Sequence, residues 1–303
     1  MSDKPPSDKP VVGVIGLGIM GGAFAKNVLK AGFTVVGHDL VAQHVESLIK
    51  AGGYDGHSPR EVAEKSDIVI TSLPATASFH EVMTGENGIS SAAKSGLLVI
   101  ECSTLAIEDK QLAHDALQEA GTILLDCPVS GTGAQAQTGD LSFYVSGNQS
   151  ASEQCRSVLA AMAKHTFYVG EFGNGSKMKF VANVLVAIHN VASAEAMVLG
   201  MKAGLEPETL YNVIKAGAGN SRIFELRAPM MVKNNYDNAT MKMDVWQKDM
   251  KVIGEFASSL GCRIPLFTES ARVYDAAMAQ GMDKLDTASV CQVLEKLASL
   301  ERT

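Results

Sequence analysis

The sequence is most informative first in what it has little of. It has one Trp, only 6% aromatic residues and five Cys in 303 residues. None of Cys102, Cys127, Cys155, Cys262 and Cys291 forms a C-x-x-C pair, so zinc-ribbon and thioredoxin readings have no support. Five Cys are also too sparse for a disulfide scaffold and are expected to be buried, reduced thiols. No basic run is present and the formal charge is -7, which disfavours nucleic acid as a partner. No apolar run of membrane-spanning length is seen, so no membrane is expected. The seven His are scattered without metal-ligand spacing, no H-E-x-x-H, P-loop or G-x-S-x-G occurs, and a metal site is not expected. Residues 1–10 contain acids and no apolar core, and read as a flexible tail on a cytoplasmic protein.

What is present is a globular composition, with 46% hydrophobic and 19% charged residues. The first half alternates short apolar β-rich runs with helical patterns. The runs are Val11–Gly16, Thr34–His38, Asp67–Leu73, Leu97–Cys102, Thr122–Cys127, Leu141–Ser146 and Thr166–Val169. Continuous apolar runs suit strands covered on both faces, hence a mainly parallel sheet flanked by helices. From Ser176 to Lys202 there is no Pro and one Gly, which predicts about 40 Å of unbroken helix. Helical patterns continue to Leu300 with no convincing strand. The expected fold is α/β, an N-terminal Rossmann-type doubly wound domain over 11–172, followed by an all-α domain over 173–303 built on a long interdomain helix.

Two constellations carry chemistry. Gly16-Leu17-Gly18-Ile19-Met20-Gly21 fits G-x-G-x-x-G between a predicted strand and helix. The first Gly permits the turn, the second lets backbone approach a pyrophosphate, and the third lets helix and strand pack closely. Asp39 ends the second strand, where a carboxylate accepts from ribose hydroxyls and repels a 2′-phosphate. Leu40 follows it, with no Arg to hold such a phosphate, so NAD is favoured over NADP. In the second constellation Lys179 and Asn183 are four apart and share one helix face. Such a face is either solvated or lines a polar cleft; an amine desolvated in a cleft suits proton transfer.

Four motifs, in order, make the chain resemble the β-hydroxyacid dehydrogenase family, which includes 3-hydroxyisobutyrate, tartronate-semialdehyde and 6-phosphogluconate type enzymes. They are the Gly16–Gly21 turn with Ala25 and Asn27, the run Asp126–Thr132 continued by Gly139-Asp140-Leu141, Gly173/Gly175/Lys179/Asn183, and Lys248-Asp249. The resemblance spans Val11 to about Leu300. It implies that Lys179 is the catalytic proton carrier, that Asn183 holds the lysine or the reacting oxygen, and that Ser130, Gly131 and Thr132 grip the substrate carboxylate. It further implies that Leu73 and Pro74 face the cofactor, that Thr104 lies beside the nicotinamide ribose, and that Lys248 reaches the cofactor. The expected activity is reversible hydride transfer between a small 3-hydroxy acid and its semialdehyde or ketone, in a homodimer or homotetramer. The chain departs from the family pattern at Thr132, where a second Gly is usual, and at Ala106, Met241 and Trp246, expected to surround the substrate end. An imine reductase-like enzyme and a non-catalytic NAD-binding sensor are the alternatives; the lysine of the pair disfavours both.

Overall fold

The computed structural model describes residues 9–302; all but the end of the predicted tail lies outside them. The chain divides into two compact units after Lys179, seven residues beyond the 172/173 boundary expected from the sequence.

The first unit alternates strands and helices: β1 (Val12–Ile15), α1 (Ile19–Lys30), β2 (Val35–His38), α2 (Ala42–Lys50), β3 (Tyr54–Asp55), α3 (Pro59–Lys65), β4 (Ile68–Thr71), α4 (Thr76–Thr84), β5 (Leu98–Glu101), α5 (Ile107–Glu119) and β6 (Ile123–Asp126). The six strands form one sheet in the order β3-β2-β1-β4-β5-β6, every pairing parallel. Helices cover both faces, so Val12, Val14, Val69, Val99 and Ile100 are all fully buried, as the unbroken apolar runs require.

The strands align their C-terminal ends. Ile15 pairs with His38 on one side and Thr71 on the other, Thr71 pairs with Glu101, and Glu101 pairs with Asp126. The segments that follow this row carry Gly16, Asp39, Leu73, Thr104 and Ser130. A doubly wound sheet binds ligands along this edge, where the strand order reverses between β1 and β4.

Beyond β6 the expectation of a single sheet needs correction. β7 (Val129–Ser130), α6 (Gly133–Thr138), β8 (Ser142–Val145), α7 (Gln149–Gln154), α8 (Arg156–Met162) and β9 (His165–Tyr168) follow, and β7, β8 and β9 form a separate three-stranded mixed sheet. β3, β7 and α6, of two, two and six residues, escape the sequence pattern because they are short. Helices α7 and α8 meet at Cys155, which ends the one and caps the start of the other.

The second unit, from Phe180, continues α9 (Asn174–Lys202) and adds α10 (Pro207–Lys215), α11 (Arg222–Lys233), α12 (Met243–Ser259), α13 (Pro265–Ala279) and α14 (Val290–Leu297). Its described residues form helices and one isolated bridge, Lys242 to Asp286. At 29 residues α9 is long and apolar enough to cross a membrane, which corrects the expectation that no such segment exists. That composition also suits a core spine. Phe180, Ala187, Ala194 and Met197 are fully buried along one face, and Phe180 packs on Phe256 at 5.2 Å between ring centres. Trp246 belongs to this core too, 6.1 Å from Tyr274.

Candidate active site

The glycine-rich turn has the geometry its sequence implies. Gly16 has φ +84°, and a Cβ there would lie 2.3 Å from the Ser72 carbonyl oxygen. A Cβ on Gly21 would lie 1.8 Å from the Gly16 carbonyl oxygen, so only Gly lets α1 start this close to β1. Gly18 differs: a Cβ there would meet nothing within 4 Å, so the approach to its backbone is open. Gly18 is also the N-cap of α1, with no side-chain hydrogen bond capping the helix. An uncapped twelve-residue helix behind an open glycine fits a pyrophosphate. Ile19 is exposed and Met20 half-buried at this opening.

Asp39 binds the turn directly. Its Oδ2 accepts the Leu17 N–H at 2.6 Å, and its Oδ1 accepts the Val41 N–H at 2.8 Å. His44 Nδ1 lies 3.2 Å from the same carboxylate. Behind the turn is a cavity of about 260 Å³ lined in part by Leu17, Gly18, Lys26, His44 and Gln137. Lys26, one helical turn and more along α1, carries no motif and is not legible as a site residue from the sequence. Burial holds His38 below the usual imidazole range, which keeps it neutral and a poor phosphate ligand at pH 7.

The two further turns that the resemblance assigns to the cofactor are tied to each other. The Leu73 N–H donates to Ser103 Oγ at 2.9 Å, which links the Leu73-Pro74 turn to the Ser103-Thr104 turn across the sheet edge. The Ser103 N–H in turn donates to the Glu101 carboxylate at 3.0 Å.

Glu101 belongs to a buried ionic cluster absent from the sequence reading. Lys110 of α5 is fully buried; its Nζ lies 2.8 Å from Glu101 Oε2, 2.8 Å from Asp126 Oδ1 and 2.7 Å from the Ser103 carbonyl oxygen. Burial opposes its charge, but the two carboxylates outweigh that and raise its pKa above the ordinary lysine value. Asp126 also receives the Ser176 N–H at 2.7 Å and the Ser176 hydroxyl at 2.8 Å. Ser176 lies in the first turn of α9, one turn before Lys179, so strand β6 sets the start of the lysine's helix. Lys179 is half-buried.

The loop expected from the resemblance to grip a carboxylate has a second engagement. Ser130 ends β7, and Gly131 takes φ +139°. Thr132 instead caps α6 in a capping box: the Thr132 N–H donates to Gln135 Oε1 at 3.0 Å, and the Gln135 N–H donates to Thr132 Oγ1 at 3.4 Å. The Thr132 N–H expected to grip a carboxylate is therefore held by Gln135. Asn27 anchors this segment from α1, donating its Nδ2 to the Ala136 carbonyl at 2.8 Å.

In the second unit Asn183 is buried and donates its Nδ2 to Asp249 Oδ2 at 3.3 Å. Lys248 Nζ lies 3.1 Å from Asp249 Oδ1, so the Lys248-Asp249 pair and Asn183 form one group within this unit. The expectation that all five thiols are buried also needs correction, since Cys262 is exposed in the loop between α12 and α13. Four His lie near an acid: His44 near Asp39, His57 near Asp55, His80 near Asp109 and His114 near Asp115. Among the described residues no three His, Cys, Asp or Glu converge as metal ligands.

A parallel doubly wound sheet whose first strand runs into an open, uncapped glycine turn, with an acid at the end of the second strand, defines a dinucleotide-binding unit. Residues 11–170 match the family described as the NAD binding domain of 6-phosphogluconate dehydrogenase, and residues 173–294 match the NAD-binding domain of NADP-dependent 3-hydroxyisobutyrate dehydrogenase. L-threonate dehydrogenase of Cupriavidus necator is 34% identical over 93% of this chain and 95% of its own. Mitochondrial 3-hydroxyisobutyrate dehydrogenase of Rattus norvegicus is 32% identical over 96% of this chain and 88% of its own. A crystal structure of 3-hydroxyisobutyrate dehydrogenase from Salmonella typhimurium superposes with a TM-score of 0.85 at 30% identity, covering 94% of this chain and all of that one. The chain belongs to the β-hydroxyacid dehydrogenase family, and is an NAD-dependent oxidoreductase of that type.

Proposed function

We propose that the chain reversibly oxidises a small 3-hydroxy acid of the 3-hydroxyisobutyrate or L-threonate kind to its semialdehyde or ketone, using NAD in preference to NADP, with Lys179 as the proton carrier. The observation that carries this reading is the Asp126–Ser176 contact, which fixes the helix start one turn before Lys179 at the same strand edge that carries the glycine turn. Relatives named for L-threonate and 3-hydroxyisobutyrate support the substrate class.

When bound, the dinucleotide supplies the hydride acceptor at its nicotinamide. The backbone at Gly16, Gly18 and the start of α1 takes the pyrophosphate, with Leu17, Ile19 and Met20 alongside and Gly21 keeping the helix close. Asp39 takes the adenine-side ribose and repels a 2′-phosphate. Leu73, Pro74 and Thr104 line the nicotinamide end, and Lys248 is assigned to the cofactor by family resemblance. Ser130, Gly131 and Thr132 orient the substrate carboxylate, and this requires Gln135 to release the Thr132 N–H. Lys179 accepts the hydroxyl proton as hydride leaves the same carbon, and returns it in the reduction. Asn183, one turn further along α9, steadies the amine or the reacting oxygen; it gives one Nδ2 hydrogen to Asp249 and has a second Nδ2 hydrogen and its Oδ1 to offer.

The protein is also assigned to a homodimer or homotetramer, because Met178, Val181, Leu185 and Leu199 leave an apolar stripe exposed along α9. Four buried free thiols suit a reducing, cytoplasmic setting. Light scattering that shows a single-chain particle would remove the oligomer assignment.

The test of function is NADH formation by the purified protein with 3-hydroxyisobutyrate, L-threonate, 3-hydroxypropionate, glycerate and L-serine, each with NAD and with NADP. Lys179→Ala is expected to bind NAD as the parent does and to lose kcat by about a hundredfold or more. Parental turnover by that variant would overturn the role given to Lys179.

A further inference from the structure

Lys110 is the one fully buried lysine among the described residues, and no step of the proposed reaction uses it. Its ammonium has three N–H groups and three close acceptors: Glu101 and Asp126 at 2.8 Å each, and the Ser103 carbonyl at 2.7 Å. It therefore has no spare donor and no freedom to rotate. Burying such a cluster gains little over packed apolar side chains of the same size, so stability alone does not account for it. Its further connections do suggest a purpose. One branch runs from Glu101 through the Ser103 N–H, and from Ser103 Oγ to the Leu73 N–H at 2.9 Å. The other runs from Asp126 to the Ser176 N–H and hydroxyl at 2.7 and 2.8 Å, and Ser146 Oγ adds a contact to Asp126 at 3.2 Å. Ser146 Oγ accepts the Gly175 N–H at 2.9 Å, so two successive amides at the start of α9 are fixed.

We propose that the buried Glu101–Lys110–Asp126 triad is a positioning device that holds the Leu73 and Ser103-Thr104 turns and the Lys179 helix in one fixed register. Asp126 accepts the first-turn amide of a helix whose N-terminus carries partial positive charge, and so sets the rotation of α9. Ser176 and Lys179 are three residues apart, hence nearly stacked on one face, and a rotation at Ser176 is carried directly to the lysine. The Glu101 branch sets the turns that face the dinucleotide. Lys110 makes the two branches a single body, so proton carrier and hydride acceptor keep one geometry. Misplacement by about 1 Å is enough to slow such a transfer severely.

The inference rests on the proposed role of Lys179, and the experiment separates the two. Ser176→Ala, Ser103→Ala, Lys110→Met and Lys179→Ala are compared for kcat on the hydroxy acid turned over by the parent, for NAD affinity by fluorescence titration, and for Tm. Ser176→Ala is expected to lower kcat about tenfold with NAD affinity unchanged, and Ser103→Ala to weaken NAD about tenfold with a smaller effect on kcat at saturation. Lys110→Met, where it folds, is expected to do both. A purely structural cluster would lower Tm in every variant and leave kcat and NAD affinity at parental values, which overturns the proposal. If Lys110→Met does not fold, the opposite splits of the two serine variants still decide it. If Lys179→Ala keeps its turnover, the parent reading fails; if it loses turnover while both serine variants match the parent, only the positioning role fails.

Discussion

The carboxylate of Asp39 accepts the backbone N–H of Leu17 at 2.6 Å, inside the glycine turn. The acid assigned to the ribose is thus also a strut of the phosphate loop. Two substitutions separate these roles. Asp39→Asn keeps an oxygen for the Leu17 N–H but removes the charge that repels a 2′-phosphate. It is expected to raise the NADP-to-NAD ratio of kcat/KM about tenfold while NAD affinity stays within a few-fold. Asp39→Ala should raise that ratio similarly and also weaken NAD by about tenfold, since a charge-assisted bond to the loop is lost. An unchanged cofactor ratio in both would refute the ribose role. Equal NAD affinity in both would refute the strut.

Gln135 occupies the backbone group that the proposed substrate contact would use. It holds the Thr132 N–H at 3.0 Å, and its Nε2 donates to Asp140 at 3.2 Å. An entering carboxylate competes with that side chain. Gln135→Ala should lower KM for the hydroxy acid roughly three- to tenfold with kcat nearly unchanged, because one hydrogen-bond exchange is removed from binding. A raised KM would show that Gln135 instead contacts the substrate.

Gly21 admits no side chain. Its hypothetical Cβ would lie 1.8 Å from a backbone oxygen of Gly16, and backbone in a tight turn cannot yield as a side-chain end can. Gly21→Ala should cost about 3 kcal/mol of stability and abolish tight NAD binding, measured by urea unfolding and by titration. Gly18→Ala, with open space around it, should fold normally and lose affinity only, by blocking the approach of the pyrophosphate. Parental NAD affinity in Gly18→Ala would place the dinucleotide elsewhere.

Thiol chemistry should single out one cysteine. Burial pushes the Cys155 and Cys291 thiols up to about 12 and moves Cys102 and Cys127 well above the usual range, whereas Cys262 is exposed. A thiol-specific reagent at pH 8 should modify one thiol per native chain, and Cys262→Ser should abolish that reaction. The same shifts fix the alkaline response. The folded chain keeps these protons, and that of Lys110, at a pH where the unfolded chain releases them. Their contribution is complete below about pH 8 and declines as pH rises, first through the thiols and then, above about pH 10, through Lys110. The urea midpoint should therefore fall between pH 8 and pH 10.5; a flat or rising midpoint would contradict the burial of these groups.

The sequence by itself determined a mainly parallel, helix-covered sheet, the glycine turn with its acid, and the long helix with a lysine and an asparagine on one face. Those features are written in local pattern: unbroken apolar runs, glycine where backbone must turn or touch, and spacing of four along a helix. Short elements such as β7 and α6 were not legible, because two to six residues give no period to read. The departures at Thr132 and Trp246 could be seen but not interpreted: only folding shows that Thr132 caps α6 and that Trp246 fills the helical core. The tertiary structure alone decided the Lys110 triad. Glu101, Lys110, Asp126 and Ser176 are separated by up to 75 positions in the chain, and each is an ordinary surface residue by type. Strand register brings Glu101 beside Asp126, helix α5 brings Lys110 beneath them, and complete burial makes the three charges depend on one another.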